Sequence, residues 1–335
     1  MTRSLSSADL ADLDIAVVLP AYNEEATIAE TIRDFHGALP AARIHIIDNR
    51  SSDATAALAA QTLEELGCPG SVLEELRPGK GNAVRRAFVE LDADVFVLAD
   101  ADLTYPASDV LPLLEPVVSG RADMVVGDRM SGGHYARENK RSLHNAGNNF
   151  IKGTINRLFG ADLVDITSGY RVFSRRFVRT YPVIAEGFEI EADLTMHALH
   201  HRLRVVELPI NYVDRPPGSV SKLRTVSDGA RVLFTIAQIV RFYRPLRFFS
   251  FAGILIALAG AIAAVPVIQD WFQHNYIYHV PLAILATGLC LMAMLMVAIG
   301  FVLDSVAHNE RLGFERRWID TEKRVPADAR RRSTS

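Results

Sequence analysis

Cysteine is nearly absent: Cys68 and Cys290 are the two in a chain of 335 residues. One stands beside a turn and the other inside an apolar run. They offer neither a disulfide framework nor a zinc spacing, which fits a reducing compartment for the soluble part. Charge of one sign is also lacking. The formal net charge is −3, so no overall field argues for nucleic acid as a partner. The first residues, MTRSLSSADLADLD, have no apolar core of the kind a signal peptide needs, and export by a cleaved leader is not expected. No internal repeat, low-complexity tract or flexible linker interrupts residues 14–221. The PGKGN stretch around Lys80 lacks the spacing and the Ser/Thr of a P-loop, so it does not support ATP hydrolysis.

What the chain has in excess is apolar sequence, 49% of residues, concentrated in the last quarter. Residues 248–268 and 280–303 carry no charged side chain. At 1.5 Å per helical residue the first would span roughly 30 Å, the thickness of a bilayer core. The loop between them, QDWFQHNYIYH, has no Lys or Arg, whereas RFYRPLR precedes the first span and Arg311, Arg316, Arg317 and Lys323 follow the second. Basic flanks stay cytoplasmic, so both termini and the head are expected inside, at an inner (plasma) membrane. Residues 222–247 place apolar side chains at helical spacing among arginines and read as an amphipathic interfacial helix. A helix packed on the head is the alternative.

Between residues 14 and 127, β-rich runs alternate with helical patterns. DIAVVLP, RIHIID, SVLEEL, DVFVLAD and ADMVVGD read as strands, and residues 24–36, SDATAALAAQTLEEL and GNAVRRAFVEL as helices. This alternation predicts an α/β head with a mostly parallel sheet and helices on both faces. Ligands in such folds gather at the carboxyl ends of the strands. Asn23 and Glu24, Asp48 and Asn49, and Asp100 and Asp102 all fall there. In an extended strand, residues two apart project to one side. Asp100 and Asp102 would then aim two carboxylates at one point, where a hard divalent cation, Mg2+ or Mn2+, would relieve their repulsion. The blander reading is a pair of turn caps.

In order and spacing, VVLPAYNEEATI, IIDNRSSDAT, GKGNAVRRAF and LADADLTYP resemble the inverting family 2 glycosyltransferases of GT-A fold. VVGDRMSGG, ITSGYRVFSRR, GFEIEADL and YVDRPPGSVSKLRT narrow the resemblance to polyprenyl-phosphate sugar synthases, over roughly residues 14 to 250. The domain organisation it implies is a tail (1–13), a GT-A domain (14–221), the interfacial helix (222–247), two spans (248–268 and 280–303) and a basic tail (304–335). The resemblance implies a nucleotide-sugar donor cradled by Pro20, Ala21, Tyr22 and Glu24, with Asp48 at the base or ribose and Lys80 near the nucleotide. Asp100 and Asp102 would hold the metal on the donor diphosphate. Thr104 stands where relatives often carry Gln and would complete the metal set with its hydroxyl or a water held by it, and Asn49 replaces an Asp common at that place. Arg129, Arg141, Ser168, Arg171, Arg215 and Lys222 would bind phosphates of donor or acceptor, since guanidinium groups offer paired donors in a fixed fork. Asp100, Asp102, Arg129 and Lys222 form the implied catalytic set. Glu189, Glu191 and Asp193 would contact sugar hydroxyls or satisfy nearby arginines. The implied partners are a polyprenyl (undecaprenyl) phosphate, membrane lipid and further copies of the chain, as a tetramer.

Two competing functions follow from the same sequence. A processive polysaccharide synthase would carry Q-x-x-R-W, whereas FERRW at 314–318 lacks the Gln and follows the last span. A non-catalytic sugar-nucleotide-binding scaffold would not need both aspartates. His197, His200 and His201 have helical spacing suited to zinc, but no further ligand is apparent, so they read as solvated.

Overall fold

The computed structural model describes residues 10, 12–131, 152–187, 189–213 and 237–323. They fall into two compact units, a head of residues up to 226 together with those from 317 onward, and a unit of residues 227–316.

The head is built on a seven-stranded sheet of order β3-β2-β1-β4-β6-β5-β7. β1 (Ile15–Ala21), β2 (Arg43–Asp48), β3 (Gly70–Glu74), β4 (Val95–Leu98) and β5 (Met124–Asp128) match the five runs expected. β6 (Arg171–Ser174) and β7 (Val205–Pro209) extend the sheet beyond that expectation. β6 is antiparallel to both neighbours, β4 and β5, and the other pairings are parallel. Alternate residues of each buried strand face opposite layers. Val17, Leu19, Ile44, Ile46 and Val97 pack with α1 (Ile28–Ala38), α2 (Thr55–Leu66) and α4 (Val110–Val118). Ala16, Val18, Ile47, Phe96 and Leu98 pack with α3 (Lys80–Glu90), α5 (Arg175–Thr180) and α6 (Ile190–His200). The register pairs Ala21 with Asp48 and Val18 with Leu98, so the three central strands release their loops at one rim.

The second unit contains two helices long and apolar enough to cross a membrane. α7 runs Pro245–His274 and α8 Val280–Lys323, both longer than the charge-free stretches that signalled them. Pro245 opens α7, where a missing N–H costs nothing and the fixed φ suits the first turn. Of the interfacial helix expected at 222–247, residues 222–236 lie outside the described residues, and 237–243 are helical. At the turn, one oxygen of Asp270 accepts bonds from the backbone N–H of Tyr278 (2.8 Å) and His279 (3.0 Å) just before α8 begins. Gly260 lets the two helices approach: a Cβ there would lie 3.1 Å from that of Leu289.

The stretch from 304 reads as a tail because charge returns, yet DSVAHNERLGFERRWIDTEK contains no proline and many good helix formers, so α8 continues through it. Its last turns belong to the head unit. There the Arg176 guanidinium lies 3.8 Å from the centre of the Trp318 ring.

Candidate active site

The loop after β1 is stitched to the loop after β2. Ser51 Oγ accepts from Asn23 N at 3.0 Å, Ser52 N donates to the Asn23 side-chain Oδ1 at 2.7 Å, and Thr55 Oγ1 accepts from Glu24 N at 2.8 Å. Asn23 itself sits at φ 52°, a left-handed conformation asparagine tolerates. This folds Pro20, Ala21 and Glu24 inward and leaves Tyr22 exposed. Asp48 closes β2. Its Oδ2 accepts weakly from Ser51 N at 3.4 Å, while Oδ1 is buried with no hydrogen-bond partner. A buried acceptor without a donor is costly, which marks this oxygen as one that a ligand N–H or O–H would satisfy.

Asn49 explains itself. Its amide nitrogen donates to the Glu75 and Arg77 carbonyls at 3.1 and 2.6 Å, and its oxygen accepts from Gly79 N at 2.7 Å. A carboxylate has no hydrogens for two carbonyls, so the usual Asp would not close this turn. The turn delivers Lys80, the first residue of α3.

Lys80 is almost fully enclosed. Its ammonium donates to Asp100 Oδ1 and, at 2.6 Å, to Glu191 Oε1. Burial works against its charge, but the two carboxylates more than offset that and hold it protonated. The backbone brings these elements together. A Cβ on Gly79 or Gly81 would fall 2.2 or 2.0 Å from the carbonyl oxygens of Glu186 and Ala185, so the irregular segment leading into α6 can lie directly on the start of α3.

Asp100 and Asp102 do not lie in the strand, as expected from the alternation, because β4 ends at Leu98. They sit in a loop held by the Thr27 hydroxyl, which donates to Ala101 O at 2.7 Å, and turned by Leu103 at φ 63°. Asp100 is partly open, whereas Asp102 is buried. Thr104, expected as a third metal ligand, donates its hydroxyl (2.5 Å) and its N–H (3.2 Å) to Asp102 Oδ1 and thereby orients it. A Cβ on Gly169 would lie 3.0 Å from Asp100 Oδ2; the glycine therefore keeps the space before that oxygen clear. Asp100, open at one oxygen, and the buried Asp102 offer the hard donors that suit a divalent cation completed by phosphate oxygens and water. Among the described residues no group of three or more His, Cys, Asp or Glu side chains is placed to hold a metal by itself.

Arg129 is fixed by a two-pronged ion pair with buried Asp165, Nε–Oδ2 2.7 Å and Nη2–Oδ1 2.9 Å, and by Thr167 Oγ1 at 3.0 Å. Burial alone would raise the Asp165 carboxyl, and the Arg129 guanidinium reverses this and holds it below the usual range. Tyr105 accepts from Gly169 N at 2.9 Å, joining the Asp100 loop to the segment before β6.

Two expected phosphate ligands turn inward instead. Arg171 is fully buried and donates to the Ser168 and Ile166 carbonyls, both at 2.8 Å, and to the Thr195 hydroxyl at 3.0 Å. Ser168 is equally buried, its hydroxyl accepting from Tyr170 N at 3.3 Å. Both brace the loop that carries Gly169. Arg141, Arg215 and Lys222 lie outside the described residues. The three carboxylates of GFEIEADL part company: Glu189 accepts from Gly187 N at 2.9 Å, Glu191 holds Lys80, and Asp193 accepts from the Tyr181 hydroxyl at 2.5 Å. Residues two apart on a helix do not share a face, so Glu191 and Asp193 do not converge on one ligand. His197 is likewise no solvated histidine. It is buried against Phe177, Tyr181 and His201, with centroids 5.8, 4.9 and 4.5 Å away, and burial pushes its pKa down to about 3.

The family model described as glycosyl transferase family 2 matches residues 16–181. A polyprenol monophosphomannose synthase of Mycolicibacterium smegmatis is 30% identical over 66% of this chain and 85% of its own length. The chain belongs to glycosyl transferase family 2. Another relative of this glycosyltransferase, glycosyltransferase AglJ of Haloferax volcanii, is 29% identical over 89% of the chain and 96% of its own length. The head has the GT-A fold. The glucosyl-3-phosphoglycerate synthase of Mycobacterium tuberculosis, solved with Mn2+, UDP and glucosyl-3-phosphoglycerate, superposes with a TM-score of 0.54. That likeness covers 70% of this chain and 81% of the other at 22% identity.

Proposed function

We propose that this glycosyltransferase moves a sugar from a nucleoside-diphosphate sugar to a polyprenyl phosphate in the membrane. One observation carries the reading: a single chain joins a GT-A head, with Asp100, Asp102 and Lys80 at its strand ends, to two helices apolar enough to cross a bilayer. A water-soluble acceptor would require no such helices. The name of the mannose synthase relative points the same way.

The nucleotide would lie along Pro20, Ala21, Tyr22 and Glu24, its base or ribose donating to the unpartnered Asp48 Oδ1. Asp100 and Asp102 would hold Mg2+ or Mn2+, which when bound neutralises charge on the diphosphate. Lys80 adds a fixed positive charge beside Asp100. Arg129, oriented by Asp165, is proposed for the acceptor phosphate together with Arg141, Arg215 and Lys222.

A lipid monophosphate is largely ionised at neutral pH, its second pKa being about 6 by analogy with phosphoamino acids. One of its oxygens attacks the anomeric carbon, the bond to the nucleoside diphosphate breaks, and its electron pair leaves with that diphosphate. No proton is removed, so no catalytic base is required. The chain's task is to align the two substrates and offset charge on the leaving group. A single displacement inverts the anomeric centre, giving a lipid-linked sugar for later glycan or protein glycosylation.

The test is a panel of UDP- and GDP-sugars supplied to purified protein with Mn2+ and undecaprenyl phosphate. Release of nucleoside diphosphate with formation of a glycosylated lipid from at least one donor is expected. No release from any donor would overturn the enzymatic reading.

A further inference from the structure

Glu191 is a buried carboxylate beside the proposed donor site, and the expectation from sequence was contact with sugar hydroxyls or pairing with nearby arginines. The structure points elsewhere. Its Oε1 accepts from Lys80 Nζ at 2.6 Å, and the two side chains are 7% and 8% exposed. Lys80 reaches Asp100 with the same ammonium. A lysine has three N–H donors on a flexible stem, and holding it in one place costs rotamer freedom. Here two donors are occupied by carboxylates that approach from different elements, the α6 start and the loop after β4. The segments carrying Lys80 and Glu191 are themselves fixed, because Gly79 and Gly81 bring the backbone of 185–187 into contact with that of 79–81. Asn82 N adds a bond to Glu186 O at 3.3 Å.

We propose that Glu191 is a positioning residue: it acts on the donor diphosphate through Lys80, whose ammonium it shares with Asp100, and does not itself touch the sugar. This rests on the proposed function above. Sharing has a consequence for the carboxylate pair. With Glu191 neutralised, the ammonium is left to Asp100 alone, where it competes for the oxygens proposed to hold the cation. With Glu191 charged, Lys80 shares its ammonium between Asp100 Oδ1 and Glu191 Oε1, and its third N–H serves a phosphate oxygen while Asp100 Oδ2 remains available to the cation.

A double-mutant cycle tests this on the full-length protein, using UDP and GDP as the probes. Glu191→Gln keeps the shape and removes the charge; Lys80→Met removes the ammonium. Each single variant is expected to weaken nucleoside-diphosphate binding roughly fivefold or more, and the double variant to bind within about twofold of Lys80→Met alone, since groups acting as one unit are not additive. Glu191→Gln should also raise the Mn2+ concentration needed for half-maximal nucleotide binding. In turnover, the same variant should raise KM for the donor and leave KM for the lipid acceptor unchanged, a split that general loosening of the fold would not produce. If Glu191→Gln unfolds, Glu191→Asp takes its place in the cycle, being charged but too short to reach. Multiplicative effects of the two substitutions overturn the proposal. So does unchanged diphosphate binding in Glu191→Gln accompanied by altered preference among donor sugars. Failure of the unsubstituted protein to bind either nucleotide overturns the glycosyl-transfer reading itself, an outcome distinct from both.

Discussion

Asn49 shows how one atom type decides a local structure. Replacing it with Asp removes both N–H donors to the Glu75 and Arg77 carbonyls. Asn49→Asp should therefore lower stability by about 1–3 kcal/mol, read as a fall in denaturant midpoint, and should weaken nucleotide binding by displacing Lys80. Histidine sets a second residue-scale expectation. Burial lowers His197 to about 3 and His45 to about 4, so both stay neutral in the folded head. The unfolded chain takes up those protons below its ordinary histidine pKa near 6.5, and the folded head does not. Stability is thus full above about 6.5 and falls as pH drops toward the folded values, by at most about 1.4 kcal/mol per unit for each group. Urea titrations of His197→Phe between pH 7 and 5 should show a shallower loss than the unsubstituted protein. An equal slope would contradict the neutral, buried assignment.

At the scale of elements, the glycines of PGKGN act by close approach and not by cradling phosphate as in a P-loop. A Cβ at 81 would meet Ala185 O at 2.0 Å. Gly81→Ala should cost roughly 1–3 kcal/mol as an overpacking substitution and raise the donor KM, because it separates Lys80 from Glu191. Retained KM with normal stability would show that the segment 185–187 yields freely. Much of this architecture was legible beforehand. Five strands stood out as apolar runs with turn residues at their ends, and the polar residues at those ends mark the rim where the site forms. β6 was hidden because it has four residues and runs directly into α5, leaving no turn signal between them. The aspartate pair was legible as two carboxylates at a strand end, but its geometry was not, since β4 stops before either residue. Arginine was the least readable residue. The residue type alone does not separate Arg171, buried under its own loop, from Arg129, which is paired with Asp165, because the difference lies in bonds to backbone carbonyls.

For the whole molecule, the order of parts matters as much as their chemistry. The chain leaves the head for two apolar helices and returns to it, since residues from 317 onward belong to the head unit. Arg176 lies over the Trp318 ring and is also paired with Asp123 at 3.2 Å. Trp318→Ala should release that segment, at a cost of about 0.5–2 kcal/mol for a cation–π contact, and faster amide exchange over residues 317–323 would report it. Exchange as slow as before would mean that other contacts hold the segment.

The central claim is that carboxylates at the strand ends serve transfer to a lipid phosphate. Its most direct measurement is the mass of the lipid recovered after incubating membrane-reconstituted protein with undecaprenyl phosphate, Mn2+ and the donor panel, beside Asp102→Ala under the same conditions. The account predicts a lipid heavier by one sugar residue, inverted at its anomeric carbon, and a loss of roughly 100-fold or more in its rate of formation in the variant. Unmodified lipid from every donor, or an unchanged rate in Asp102→Ala, would contradict it.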